Sequence, residues 1–159
     1  MLTSENIREV FDCNLEKGEL YWKVKHTKNI KVGKKVGNGK RYPQVMYKGK
    51  MYLVSRLIFL WANLRWPVGF IDHIDRNPLN NAIHNLREAT PSQNAVNSFN
   101  SKNKTGVRGV HWCKFRKKYV AAIRINGKSK LLGRFSSLDE AKAVYQKMAI
   151  ETFGKFANV

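Results

Sequence analysis

The sequence predicts an α+β chain built from two successive units. In the first, residues 70–98 have the pattern strand, loop, strand, helix, and Thr90-Pro91 is a typical helix start. In the second, three strand-like runs are followed by a single helix. The length of 159 residues is enough for one ordinary domain or two small ones.

Short elements are predicted ahead of residue 70. Ile7, Val10 and Phe11 share one face of a helix that Thr3 or Ser4 can cap. The stretch Tyr47-Lys48-Gly49-Lys50 has the composition of a hairpin turn. The predicted elements are a helix at 3–11, a strand at 19–24, a basic loop at 25–40, strands at 42–46 and 51–54, and a helix at 55–65.

The helix predicted at 55–65 carries an apolar stripe. Leu57, Leu60, Trp61 and Leu64 follow one another at intervals of three and four residues. The whole run is also strongly apolar. We therefore assign the stripe to the hydrophobic core and not to a ligand site.

The second unit has clear turn and capping signals. A polar, turn-forming stretch at 99–106 precedes it, and we predict a linker there. Asn126-Gly127 predicts a two-residue hairpin turn, and Ser137-Leu138-Asp139-Glu140 has the pattern of a capping box that opens the last helix. The predicted strands are 107–113, 118–125 and 129–135. The predicted domains are 1–98, with an N-terminal helix and strand extension, and 107–159.

Charge is distributed very unevenly along the chain. The net charge is +19, and no acidic residue occurs from Leu20 to Ile71 or from Ala89 to Leu138. Such long basic blocks favour a polyanionic partner over a merely soluble basic protein. A membrane is a weaker partner, because no apolar run reaches about 18 residues and no signal peptide opens the chain.

The two cysteines, Cys13 and Cys113, form no C-x-x-C pair and predict reduced thiols in the cytoplasm. Two cysteines and four scattered histidines also argue against a structural zinc site.

Between the two basic blocks, carboxylates flank a histidine in Asp72-His73-Ile74-Asp75. The carboxylate of Asp72 and the amide of Asn94, on the following helix, suit a divalent cation such as Mg²⁺. His73 could then act as a general base that activates water. The alternative is that His73 is a hydrogen-bonded core residue and that the asparagines only form turns.

Several pieces of this region occur in a characteristic order. They are Phe70-Ile71-Asp72-His73-Ile74-Asp75, Asn80-Asn81, Asn85-Leu86-Arg87 and Ser92-Gln93-Asn94-Ala95. Together they resemble the HNH homing endonuclease family of phages, over about residues 42–98. The resemblance implies a ββα-metal fold in which Asp72 and Asn94 bind the metal, Mg²⁺ or alternatively Mn²⁺. It also implies that His73 is the general base and that Asn85 braces the loop behind it.

Two positions depart from that pattern. The family often has a histidine in a His-Arg-Leu run before the motif, where this chain has Ser55-Arg56-Leu57. His84 stands where an acidic or polar residue is usual, and we interpret it as an exposed substitution. The first departure favours a rival function, a DNA-binding protein that has lost catalytic activity.

A second resemblance covers nearly all of residues 102–158. It rests on Gly106-Val107-Arg108-Gly109-Val110, Trp112, Tyr119-Val120-Ala121-Ala122-Ile123-Arg124, Leu132-Gly133-Arg134-Phe135, Glu140-Ala141 and Phe153-Gly154-Lys155-Phe156-Ala157-Asn158. These residues are similar to the AP2 DNA-binding domain, a three-stranded sheet packed on one helix. The likeness assigns groove reading to Arg108 and Arg124. The basic residues expected to contact DNA are Arg108, Lys114, Arg116, Lys118, Arg124, Lys130 and Arg134, several of them through phosphates.

Together these patterns predict a homing-type, metal-dependent endonuclease that acts on double-stranded DNA. A single site of this kind cuts one strand per visit, so nicking by a monomer is expected, with a dimer as the alternative. Two rivals remain open: the inactive DNA-binding protein, and a structure-selective DNA or RNA nuclease.

Overall fold

The computed structural model describes residues 1–37, 41–98 and 103–157. The predicted basic loop and the predicted linker therefore lie partly outside the described residues, at 38–40 and 99–102, and Asn158 also lies outside them. The chain divides into two compact units, Met1–Glu88 and Ala89–Val159. Helix and strand are mixed in both, and helix 91–97 belongs to the second.

The described part of the first unit contains short hairpins and two helices. Its elements are α1 (Ile7–Val10), β1 (Phe11–Asn14), β2 (Glu19–Trp22), β3 (Gln44–Tyr47), β4 (Lys50–Leu53), α2 (Val54–Asn63), β5 (Phe70–His73), a 3₁₀ turn (Ile83–Asn85) and β6 (Leu86–Ala89). The strands pair as β1 with β2, β3 with β4, and β5 with β6. The first two pairs are antiparallel.

Helix α2 forms the centre of the first hydrophobic core. Leu57, Ile58 and Leu60 are fully buried, as the apolar run predicts. The prediction that Leu64 belongs to this core is wrong. Leu64 adopts a left-handed conformation with φ of 52° that ends the helix, and its side chain is exposed.

The N-terminal helix is shorter than predicted. It stops at Val10, because Phe11 begins a strand and pairs with Trp22. The two rings lie 4.8 Å apart between centroids, and Phe11 is fully buried. Phe11 is four residues after Ile7, so the same apolar spacing suits a helix face and gives no signal for this strand.

The described part of the second unit is a three-stranded antiparallel sheet with helices. Its elements are α3 (Pro91–Asn97), β7 (Val110–Cys113), β8 (Lys118–Ile125), β9 (Lys128–Phe135), α4 (Leu138–Phe153) and a 3₁₀ turn (Gly154–Phe156). The strand order is β7-β8-β9. Ala121 and Ile123 from the sheet and Tyr145 and Ala149 from α4 are buried in one core, so α4 covers one face of the sheet.

The two predicted helix caps differ in the structure. At α3 the Thr90 side chain accepts a hydrogen bond from the Gln93 backbone, and the Gln93 side chain accepts one from the Thr90 backbone. At α4 the Ser137 hydroxyl instead accepts from the Asp139 N–H at 3.1 Å. The first residue pattern therefore gives a complete capping box, and the second gives a simple N-cap.

Two expectations from composition concern membranes and disulfides. None of the helices in the described residues is both long enough and apolar enough to span a bilayer. Cys13 and Cys113 are free thiols. Burial raises the pKa of Cys13 to about 12, so this thiol is not a reactive thiolate at neutral pH.

Candidate functional site

The residues Asp72 and His73 end strand β5 and are both buried, with exposed fractions of 4% and 8%. The chain leaves the strand directly after them, because the Arg76 N–H donates to the His73 carbonyl at 2.9 Å and Arg76 has φ of 65°. A carboxylate and an imidazole are therefore fixed at the start of a tight turn. Two neighbouring buried polar side chains at one turn form a candidate site for acid–base or metal chemistry.

The imidazole of His73 is held by Asn81. Its Nε2 lies 3.0 Å from Asn81 Oδ1, and Asn81 is only 3% exposed. An amide oxygen only accepts hydrogen bonds, so this contact is made by the ring form that carries a proton on Nε2. The sequence does not identify the group that makes this contact. Asn81 was recognised as part of the motif, but its role was missed.

Asn85 closes the loop that follows His73. Its Oδ1 accepts from the Asp75 N–H at 3.0 Å, and its Nδ2 donates to Asp75 Oδ1 at 2.9 Å and to the Asn80 carbonyl at 2.7 Å. The Asn80 side chain donates to the other oxygen of Asp75 at 2.7 Å. The Asn77 N–H also donates to Asp75 at 2.8 Å. Asp75, which had no predicted role, is thus the centre of the loop's hydrogen bonds.

The pKa of Asp75 predicts how the loop responds to acid. Burial raises that pKa, but the hydrogen bonds from Asn77, Asn85 and Asn80 outweigh burial and lower it overall. The carboxylate therefore adds stability that is present above its unfolded pKa of about 4 and is lost as the pH falls through the lower folded pKa. We expect Asp75→Asn to reduce the difference in thermal midpoint between about pH 6 and about pH 3.

Thermal denaturation across that range measures the effect. Asp12→Asn is the matched control, because Asp12 is exposed and has a long ion pair of 3.6 Å with Lys23. Equal pH dependence in wild type and Asp75→Asn would contradict the assigned role.

Asp72 also forms a buried ion pair that the sequence did not reveal. Arg87 Nε donates to Asp72 Oδ2 at 2.8 Å, with side-chain exposures of 11% and 5%. Arg87 lies on β6, the partner strand of β5, so strand pairing places the two charges together. Since a carboxylate has about four lone-pair positions, this pair and a metal contact are compatible.

Asn94 lies about one turn into α3, in the second unit, and is half-buried. The complete capping box at Thr90 fixes the start of this helix. In the described ranges there is no cluster of three His, Cys, Asp or Glu side chains that could hold a metal. The predicted metal ligands are one carboxylate and one amide, and an asparagine amide is not among the side chains that define such a cluster.

The structure also describes Ser55 and His84, the two residues that depart from the family pattern. Ser55 is buried near the start of α2, and His84 is exposed, 3.9 Å from Glu16. His84 therefore resembles a surface residue, as expected.

The predicted DNA-binding residues fall into three groups. By strand register, Lys118, Arg124 and Arg134 share the sheet face opposite α4, because Arg134 pairs with Val120 of β8. Lys114 and Arg116 lie in the β7–β8 turn. Lys130 pairs with the buried Ile123 and so belongs to the face that carries α4.

Arg108 has a local contact that the sequence could not indicate. Its guanidinium donates to the carbonyl oxygens of Ala95 and Ser98 at the C-terminal end of α3. A cation there stabilises the last carbonyls of the helix. Arg108 and Arg124 also line one cavity of about 400 Å³ beside α3. The residue assigned to groove reading thus also holds the helix that carries Asn94.

Comparison with known proteins gives matches to the region that contains Asp72 and His73. The model of a family described as HNH endonuclease matches residues 52–96. An uncharacterised HNH endonuclease of Acanthamoeba polyphaga mimivirus is 38% identical over 117 residues, which are 73% of this chain and 60% of that protein. Protein 3.8 of Escherichia phage T7 is 36% identical over 115 residues, which are 70% of this chain and 94% of that protein. No solved structure matches significantly.

The chain thus spans about 60% of the length of the mimivirus protein and nearly all of the phage protein. The family match includes Asp72, His73, Asn81, Asn85 and Asn94. With relatives of this similarity, and a family match that includes strand β5 with the buried Asp72 and His73, the chain belongs to the HNH endonuclease family.

Proposed function

We propose that this protein is a metal-dependent DNA endonuclease of the homing type, which nicks one strand at a preferred site. The observation that carries the proposal is the buried Asp72-His73 pair at a turn, with the His73 ring held by Asn81. A base with a fixed ring and a fixed tautomer is suited to taking a proton from a water molecule.

In the proposed reaction, Nδ1 of His73 accepts a proton from water. The water oxygen forms a bond to phosphorus, and the bond from phosphorus to the leaving sugar oxygen breaks. The leaving oxygen takes a proton from solvent water, and His73 returns its own proton to solvent afterwards. Asn81 holds the ring, and Asn85 with Asp75 holds the loop that follows His73. These residues position the base, whereas His73 alone exchanges a proton with the reactants.

Asp72 and Asn94 are the proposed ligands of the divalent cation. Mg²⁺ binds few protein oxygens and keeps several waters, so one carboxylate and one amide have suitable chemistry. When bound, the cation would stabilise negative charge on the phosphate. Mg²⁺ is the first choice, and Mn²⁺ is the alternative.

The second unit is proposed to bind double-stranded DNA as an AP2-like module. Support comes from the +19 net charge and from Lys118, Arg124 and Arg134 on one sheet face. We expect a monomer on DNA, and a double-strand break only when two copies engage.

A plasmid assay tests the proposal. With Mg²⁺, the wild-type protein should convert supercoiled DNA to open circles, and excess EDTA should stop the reaction, because cation binding is required. A gel shift with the same DNA measures binding separately. Binding without nicking, for plasmid and for DNA of the source genome, would favour the rival that Ser55 suggests, an inactive DNA-binding protein.

A further inference from the structure

Phe115 stands in the turn between β7 and β8, and its side chain is 91% exposed. It contributes nothing to the core of the second unit, whose members do not include it. A large aromatic ring in water has no folding role at this position. Within the described residues no other phenylalanine, tyrosine or tryptophan is more than 51% exposed, so Phe115 stands apart from them.

Turn geometry does not require this residue. The left-handed conformation of the turn is adopted by Lys117, with φ of 46°. The two-residue hairpin turns Lys48-Gly49 and Asn126-Gly127 contain only polar residues and glycine. The turn between β1 and β2 contains the apolar Leu15, but that side chain packs against the first core, whereas Phe115 packs against neither core. A polar residue in place of Phe115 would serve the turn equally well.

Phe115 has cationic residues on both sides of it in the sequence. Lys114, Arg116, Lys117 and Lys118 are all exposed, and within the described residues none of them forms an ion pair. Four positive charges around one aromatic ring match a polyanion that also offers flat apolar surfaces. Duplex DNA has both features, in its phosphates and in its stacked base pairs.

The base of the turn is held firmly. Trp112 and Tyr119 form a cross-strand pair next to it, with ring centroids 4.7 Å apart and an interplanar angle of 62°. The Lys118 ammonium donates to the Ser136 hydroxyl at 2.6 Å. The turn is thus presented by a braced hairpin, which reduces the entropy lost on binding.

We propose that Phe115 is a wedge that inserts its ring at a base step of duplex DNA, while the neighbouring cations contact phosphates. The inference rests on the proposed function, because it assumes that DNA is the partner. Aromatic stacking tolerates any sequence, since every base has a flat face. The wedge would therefore add affinity and local unwinding to binding, without reading bases.

The test uses the full-length protein in EDTA, so that binding is measured without cleavage. Phe115→Ala should bind a fluorescent DNA duplex about 5- to 100-fold more weakly, with an unchanged dependence on salt. Arg116→Ala should instead reduce the slope of log affinity against log salt by about 1. Phe115→Leu should keep part of the effect, because aliphatic wedges also unstack bases.

Unwinding gives the second measurement. Each variant is first bound to a relaxed plasmid at the same occupancy. A metal-independent type I topoisomerase then relaxes the complex, and all protein is removed. Wild type and Arg116→Ala should leave supercoils, and Phe115→Ala should leave fewer. Met46→Ala, an exposed apolar residue of the first unit, should behave as wild type. Thermal midpoints should be equal, because Phe115 is outside the core.

The outcomes separate the two proposals. If Phe115→Ala unwinds DNA as much as the wild type does, or binds DNA with unchanged affinity, the wedge is overturned and the endonuclease proposal remains intact. Lower affinity with undiminished unwinding also overturns it, because Phe115 then contacts DNA without insertion. Absence of DNA binding by the wild-type protein overturns both.

Discussion

Replacing His73 by alanine is expected to reduce plasmid nicking by about 10²–10⁴-fold, the usual contribution of a general base. The ring nitrogen that would accept the proton is lost, whereas the basic residues of the second unit are untouched. DNA affinity should therefore stay within a factor of about two, well below the tenfold change that corresponds to 1.4 kcal/mol. Single-turnover nicking rates and a gel shift measure the two quantities.

Removal of a buried ring can also unfold the loop, so further variants accompany this one. His73→Gln retains a side-chain N–H that can donate to Asn81 but has no basic nitrogen, and it should be equally inactive. His84→Ala is the matched control, because His84 is an exposed histidine in the same region. Nicking by His73→Gln at the wild-type rate would remove His73 from the role of general base.

The order of elements could be predicted because its signals are local. Thr90-Pro91 and Asn126-Gly127 act within a few residues, and both mark the boundaries found in the structure. The side chains of β8 also alternate as a strand requires: Ala121 and Ile123 are buried in the core with α4, and Ala122 and Arg124 lie on the other face.

Side-chain partners could not be predicted in the same way. Arg87 is 15 residues from Asp72, and the pairing depends on how two four-residue strands align. Asn81 was one of several asparagines in the loop, and residue type alone does not choose between them. The long side chain of Arg108 can reach DNA or a helix end, and the sequence does not contain its direction.

Asp72 is expected to contribute both to the stability of the protein and to nicking. Asp72→Ala should destabilise the protein by about 3–5 kcal/mol, because it removes the counter-charge of a buried guanidinium. It should also abolish nicking if the carboxylate binds the cation. A single variant cannot separate these causes, since an unfolded site is inactive whatever its chemistry.

The double variant Asp72→Leu/Arg87→Met separates them. Replacing both charges by apolar side chains of similar size removes the buried ion pair without leaving either charge alone, so stability should return to within about 1–2 kcal/mol of wild type. Nicking should stay at background, because no carboxylate is restored. Chemical denaturation and the plasmid assay measure the two properties.

Metal binding can be followed without activity. A ligand that binds only the folded state raises its stability according to concentration and dissociation constant. Mg²⁺ or Mn²⁺ should therefore raise the thermal midpoint of the wild type but not that of Asp72→Leu/Arg87→Met. Arg87→Met alone keeps the carboxylate and should retain a shift, since the proposed metal ligand is still present. A metal-induced shift that persists in the double variant would place the cation elsewhere and assign Asp72 to the ion pair alone.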